Sequence, residues 1–364
     1  MSPRKAFAMA LTAPGKLEPV SVPIPAVDDN SALLRIEACG ICGTDCEQFA
    51  TGMQLPMPHI PGHEPLGIIE EIGDGAAVRW GVDVGDRVAV ETLLSCHLCE
   101  RCLSGQYHLC KTRRVYSTIS LHTGHGLWGA YANYMMLDAA SVVHKMDKTI
   151  APEIAVMFNP LGAGFRWAVE IPETGPGDTI LIMGPGQRGL ASVVAAAQAG
   201  AKDIIVTGLE ADVKKLALAR EFGATHTIDV QNEDIKSRVK EITAGQGVDI
   251  VLDVTPGATQ PVEDAISVVR VGGTVVLAGV KGYKRVANFI SDKIVFKELR
   301  LLGAFGVTSS GYKKAIDVIH AGKVPLHKMH THQFKVEQAE LAIRTLAREI
   351  PGDESIHSCL IPEH

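Results

Sequence analysis

Long hydrophobic runs are missing from this 364-residue sequence. No apolar stretch approaches the ~18 residues that a membrane span requires, so an integral membrane protein is not expected. Basic clusters are scarce too. The longest is Lys111-Thr112-Arg113-Arg114, and the formal net charge is −6. Such a chain offers no electrostatic footprint for nucleic acid, and small molecules are the expected partners. Internal repeats and low-complexity segments are absent. A leader peptide is poorly represented: Arg4-Lys5 precedes the apolar Ala6–Leu11, at the short limit of about seven residues, and no small-x-small cleavage site follows. A first β-strand turning at Ala13-Pro14-Gly15 accounts for that segment better, and a cytoplasmic protein is expected.

What is present is ordinary bulk and unusual cysteine placement. Apolar residues make up 46% and charged residues 21%, enough for a sizeable core divided between about two domains of roughly 150 residues each. The eight cysteines are Cys39, Cys42, Cys46, Cys96, Cys99, Cys102, Cys110 and Cys359. Clustering of this kind points to metal more than to disulfides. In Cys96-His97-Leu98-Cys99-Glu100-Arg101-Cys102, followed by Cys110, three thiols at i, i+3 and i+6 can curl round one ion while the fourth closes a Cys₄ tetrahedron. A closed tetrahedron has no open position, so this lobe (about 95–111) is expected to hold a structural zinc.

A second group is less self-evident. Gly40-Ile41-Cys42-Gly43-Thr44-Asp45 is answered by Gly62-His63-Glu64, placing a thiol and an imidazole, both good zinc ligands, near carboxylates. The same residues fit a buried Cys in a Gly-rich turn with an unrelated loop His. Around them, residues 5–95 read as short strands (Ala32–Glu37, Gly67–Ile72, Asp86–Val90) broken by many prolines and glycines. Residues 127–137 return to strand character, with Trp128 expected in the core and pocket lining as the alternative. His122 and His125 lie in the Gly-rich loop before it.

After Pro152 the texture changes. The apolar strand Asp178–Met183 runs into Gly184-Pro185-Gly186-Gln187-Arg188-Gly189 and then a helix over Leu190–Ala199. Strand, G-x-G-x-x-G and helix together make a dinucleotide-binding unit, with the pyrophosphate at the helix N-terminus. The next strand, Asp203–Thr207, ends at Gly208 where an NAD enzyme usually has an acidic residue. Glu210 stands nearby and the loop has no Arg, so NAD is expected and NADP remains possible. Further βα units, with Thr255, Gly279 and Val280 at strand ends, predict a doubly wound parallel sheet of the Rossmann type.

Taken together and in this order, these motifs resemble the zinc-dependent medium-chain alcohol dehydrogenase family, particularly its polyol, threonine and glucose dehydrogenase branches. The resemblance covers essentially the whole chain. It implies an α/β protein whose dinucleotide-binding domain (158–303) is inserted into a mostly β, GroES-like catalytic domain (1–157 with 304–364), assembled as a homodimer or homotetramer. It implies two zinc ions per chain, NAD or NADP, and hydride transfer with a secondary alcohol, sugar or polyol. Cys42 and His63 would bind the catalytic zinc, and Thr44 would hydrogen-bond the alcohol and start its proton on a relay. The third ligand of these relatives is a Cys or Glu where Phe158-Asn159-Pro160-Leu161 stands here. With the neutral Asn159 there, Glu64 is expected to enter the catalytic zinc's ligand set and restore neutrality, with Asn159 bound through its oxygen or through a water; the glucose dehydrogenase branch resembles this. Glu47 replaces a His that passes the proton to solvent in many relatives. The rival readings are a zinc-deficient medium-chain reductase acting on activated double bonds, and a non-catalytic NAD(P)-binding protein on this fold.

Overall fold

Long buried runs in the first strands set the architecture of the N-terminal half. The computed structural model describes residues 4–363. β1 (Lys5–Ala13) and β2 (Lys16–Pro23) form an antiparallel hairpin, turned by Gly15 at φ +74°. β3 (Ala32–Ile41), β4 (Pro65–Ile72) and β5 (Arg87–Val90) follow. After them come the short β6 (Leu93–Leu94) and β7 (Arg114–Val115), then β8 (Tyr134–Leu137) and β9 (Val143–Lys145). Leu33, Leu34, Ile36, Ile69 and Val88 of these strands join Tyr131 in one core.

The strand expected over residues 127–137 is shorter than its sequence suggested. Only Tyr134–Leu137 pairs with β3. The preceding residues run against another segment: a Cβ at Gly129 would overlap the Ile60 carbonyl, and Ala130 and Tyr131 donate to the carbonyls of Gly62 and Pro61. Trp128 is a core residue. Its Nε1 donates to the Thr123 carbonyl at 2.7 Å, and its ring stacks on His125 with centroids 3.8 Å apart.

The second unit takes Pro160–Gly306 with Lys323–Pro325, and the first takes the rest of the chain. β10 (Thr179–Met183), β11 (Asp203–Gly208), β12 (His226–Asp229), β13 (Val248–Asp253), β14 (Val269–Leu277) and β15 (Arg300–Gly303) make an all-parallel sheet in the order β12-β11-β10-β13-β14-β15. This is the doubly wound order, in which the order of the strands reverses between β10 and β13 and opens a crevice at their carboxyl ends. β10 is buried throughout, as a strand covered by helices on both faces must be.

The chain then returns to the first unit as β16 (His330–Phe334) and β17 (His357–Leu360). The seven-stranded sheet runs β16-β17-β3-β4-β5-β9, with β8 also on β3. β17 pairs with Cys39–Ile41, so the C-terminal return buttresses the strand end that delivers Cys42. No helix among the described residues is long and apolar enough to cross a membrane.

Candidate active site and metal centres

Cys42 is where β3 gives way to the helix Gly43–Thr51, and the local sequence dictates how. As N-cap residue it accepts the Thr44 amide on its Sγ at 3.4 Å, while Asp45 accepts the Cys42 amide on Oδ2 at 2.8 Å. This reciprocal pair is a capping box built from a thiol and a carboxylate. The N-terminal end of the helix also favours a negative side chain. His63 arrives from the other side through Gly62, which has φ +93° and no room for a Cβ beside the Tyr131 amide and Cys39.

The three side chains then form one buried cluster. Cys42 Sγ lies 3.1 Å from His63 Nε2, and Asp45 Oδ1 lies 3.4 Å from His63 Nδ1. Burial alone would push the imidazole down, but the Cys42 sulfur and the Asp45 carboxylate outweigh it and hold His63 well above its ordinary range. A cation on the Nε2 side would take the place of that proton. The donor set suits zinc: a thiolate and an imidazole nitrogen facing one point, with a carboxylate 3.4 Å behind the opposite ring nitrogen.

Among the described residues, the carboxylate clustered with Cys42 and His63 is Asp45, and Glu64 is outside that group. Glu64 is buried against β3, where a Cβ at Gly40 would overlap its carboxylate. Peptide pairing holds it there, with the Gly40 amide donating to the Glu64 carbonyl at 3.2 Å. Asn159 is buried in the same unit and its Nδ2 donates to Thr92 Oγ1 and to the Tyr312 hydroxyl, each at 3.2 Å. Thr92 in turn donates to the His63 carbonyl at 2.8 Å. Thr44 is exposed, and Glu47, three residues on along the same helix, is half-buried. Thr92 and Tyr312 were not singled out from sequence, whereas Asp45 stood among the carboxylates noted beside Cys42. Only Asp45 had a local signal, its capping position three residues past Cys42.

The four lobe cysteines converge. Their recorded Sγ–Sγ distances are 3.8 Å (Cys96–Cys102), 3.6 Å (Cys99–Cys102), 3.9 Å (Cys99–Cys110) and 3.5 Å (Cys96–Cys110). A tetrahedron with metal–sulfur bonds of about 2.3 Å has edges of about 3.8 Å, so the sulfurs fit zinc. Backbone amides favour the anionic sulfurs: those of Leu98 and Cys99 lower Cys96, that of Cys102 lowers Cys99, and that of Cys96 lowers Cys110. Burial and the neighbouring sulfurs push Cys102 up to about 12, since without a cation four thiolates cannot share so small a space. Tyr107 ties the lobe to the end of β5 by donating to Glu91 at 2.6 Å.

At the reversal point of the parallel sheet, the Gly-rich turn is shaped by contacts. Gly184 has φ +100°, and a Cβ at Gly189 would overlap the Gly184 carbonyl. Gly186 caps the helix Gln187–Gln198 without a side chain over its amides. Pro185 packs against Gly208, Gln187 is buried, and Arg188 lies over the Trp167 ring at 5.6 Å. Thr255 is fixed by Asp253 through its amide at 2.9 Å and its hydroxyl at 2.5 Å. Gly279 presses so closely on the Thr255 carbonyl that a Cβ would overlap it. Val280 is exposed and accepts the Gly257 amide. A cavity of about 400 Å³ past the end of β11 is lined by Leu209, Glu210, Val213, Leu216 and Asp229. Lys215 does not offer a free cation there: its Nζ lies 3.4 Å from Asp212.

Two family models match the chain, the alcohol dehydrogenase GroES-like domain over residues 28–148 and the zinc-binding dehydrogenase over 189–321. A Mycobacterium tuberculosis protein described as "Probable alcohol dehydrogenase" is 43% identical over 360 residues, covering 98% of each chain. The erythritol/L-threitol dehydrogenase of Mycolicibacterium smegmatis is 32% identical over 99% of this chain and 98% of its own. Among solved structures, a zinc-binding dehydrogenase of Sinorhizobium meliloti bound to NADP superposes with a TM-score of 0.86 at 27% identity, over 99% of this chain and 100% of that one.

Proposed function

The chain belongs to the zinc-dependent medium-chain alcohol dehydrogenases and is an NAD(P)-dependent alcohol dehydrogenase, and on that premise we propose that it oxidises a secondary hydroxyl of a small polyol or sugar with NAD. The observation that carries the reading is the Cys42–His63–Asp45 cluster, a metal-binding pair with its orienting carboxylate. The similarity to an erythritol/L-threitol dehydrogenase supports the substrate class.

Cys42 and His63 would hold the catalytic zinc, and Cys96, Cys99, Cys102 and Cys110 the structural one. When bound, zinc supplies a Lewis acid that lowers the pKa of the alcohol, and the nicotinamide supplies the hydride acceptor. The chain's own residues do the rest. Asp45 holds the His63 ring by its Nδ1 and brings the charge that Asn159 lacks, so that thiolate and carboxylate balance a divalent cation across one imidazole. Thr44, exposed and with its own amide capped by Cys42, takes the hydroxyl proton, and Glu47 on the same helix face passes it to solvent. Buried in the first unit, Asn159 adds a neutral amide oxygen.

The cytoplasm is the proposed compartment, because clustered thiols belong to reducing surroundings. A second copy of the chain is the proposed partner. β15 ends its sheet with one neighbour, and Phe289, Ile290, Val295, Phe296 and Leu301 are exposed around it, an edge that self-association would cover. The deciding experiment is a panel of polyols, sugars and secondary alcohols run with both dinucleotides. Reduction of NAD by a vicinal polyol is expected; no reduction of either dinucleotide by any of them would overturn the proposal.

A further inference from the structure

Hydrogen-bond inventory fixes which way the Asn159 amide faces. The single hydroxyl proton of Thr92 is donated to the His63 carbonyl at 2.8 Å, so toward every other neighbour Thr92 Oγ1 can only accept. The group facing it at 3.2 Å from Asn159 must therefore be the amide nitrogen. Tyr312, fully buried on the helix Ser309–Ala321, takes the second amide proton on its hydroxyl oxygen at 3.2 Å. Its hydroxyl oxygen also lies 3.4 Å from Thr92 Oγ1. Phe158 packs on the Tyr312 ring with centroids 5.6 Å apart and keeps the hydroxyl in place.

We propose that Thr92 and Tyr312 are positioning residues that clamp Asn159 by its nitrogen, so that its amide oxygen is committed to the cation held by Cys42 and His63. The inference rests on the catalytic-zinc reading above. It also explains why an amide serves where relatives use an anion. A carboxylate at 159 would set an oxygen against Thr92, which would have to abandon the His63 carbonyl in order to donate to it.

The test uses full-length protein loaded with Co²⁺ at both sites, compared as wild type, Thr92→Val, Thr92→Ser and Tyr312→Phe. The tetrathiolate absorption of the lobe serves as an internal reference for folding. Thr92→Val and Tyr312→Phe are expected to weaken cation binding at the Cys42–His63 site about 10- to 100-fold in chelator competition, the range for groups that orient a metal ligand. Both should shift the visible d–d bands of that site and leave the lobe bands unchanged, and Thr92→Ser should restore affinity and spectrum. Wild-type affinity and d–d bands in both Thr92→Val and Tyr312→Phe would overturn the clamp. Loss of the lobe bands in Thr92→Val would mark a folding defect, and Tyr312→Phe against Thr92→Ser then decides. Wild-type protein that binds cobalt only at the lobe would overturn the catalytic-zinc reading itself.

Discussion

The Asp45 carboxylate stands 3.4 Å behind the Nδ1 of His63 while the opposite ring nitrogen faces Cys42 at 3.1 Å. The same carboxylate caps the helix that begins at Cys42. One side chain thus sets the position of one ligand and the ring orientation of the other.

Replacing Asp45 by Ala should therefore cost metal before it costs fold. Affinity at the Cys42–His63 site is expected to fall about 10- to 100-fold, and loss of the cap should remove about 1 kcal/mol of stability. Metal analysis after dialysis against a chelator would show the lobe zinc retained and the other lost. Equal retention of both would contradict this role.

The lobe lacks a core of its own: the helix Glu100–Leu103 contains no buried residue, and Leu98 and Leu103 are exposed. Its zinc should supply the folding free energy there. Cys102→Ser is expected to reduce zinc from about two ions per chain to about one and to lower Tm by about 5 °C or more. Calorimetry together with metal content checks both.

Glu210 and Asp229 face the cavity past β11, and Lys215 is paired with Asp212. A 2′-phosphate there would meet two negative charges. NADH should bind about tenfold or more tighter than NADPH, and Glu210→Gln with Asp229→Asn should narrow the gap. Fluorescence titration of the reduced dinucleotides decides; tighter NADPH binding by the wild type would refute the assignment of NAD.

His125 carries a pH dependence of stability. Its ring is stacked on Trp128 and accepts the Leu127 amide on Nδ1 at 3.0 Å, and burial depresses its pKa to about 4. The unfolded chain, with a value of about 6.5, takes up the proton first as pH falls. The contribution of neutral His125 is thus complete above about 6.5 and is lost as pH drops toward 4. Thermal denaturation should show a steeper acid-side loss for wild type than for His125→Phe.

Phe296, exposed beside the edge strand β15, tests the proposed self-association. Sedimentation should show wild type above monomer mass and Phe296→Glu shifted toward monomer. A wild-type monomer would leave those apolar residues unexplained.

Much of this was written locally in the chain. The Cys₄ spacing, the Gly184–Gly189 turn after an apolar strand and the alternation of strands and helices each depend on neighbours a few residues apart. Periodicity and ligand spacing therefore determine them, and with them the family. The pairing of Cys42 with His63 needed only the order of motifs. What the tertiary structure decided concerns contacts across long separations. Asp45 stands beside His63, and Glu64 lies where Gly40 of β3 leaves room for its carboxylate. Asp229 joins Glu210 at a cavity because β12 lies beside β11. Asn159 meets Thr92 and Tyr312, 67 and 153 residues away. No spacing rule reaches that far. Such contacts exist only once the C-terminal return has packed onto the first unit, since hydrogen bonds between distant side chains form where folding has already removed the water that competes for them.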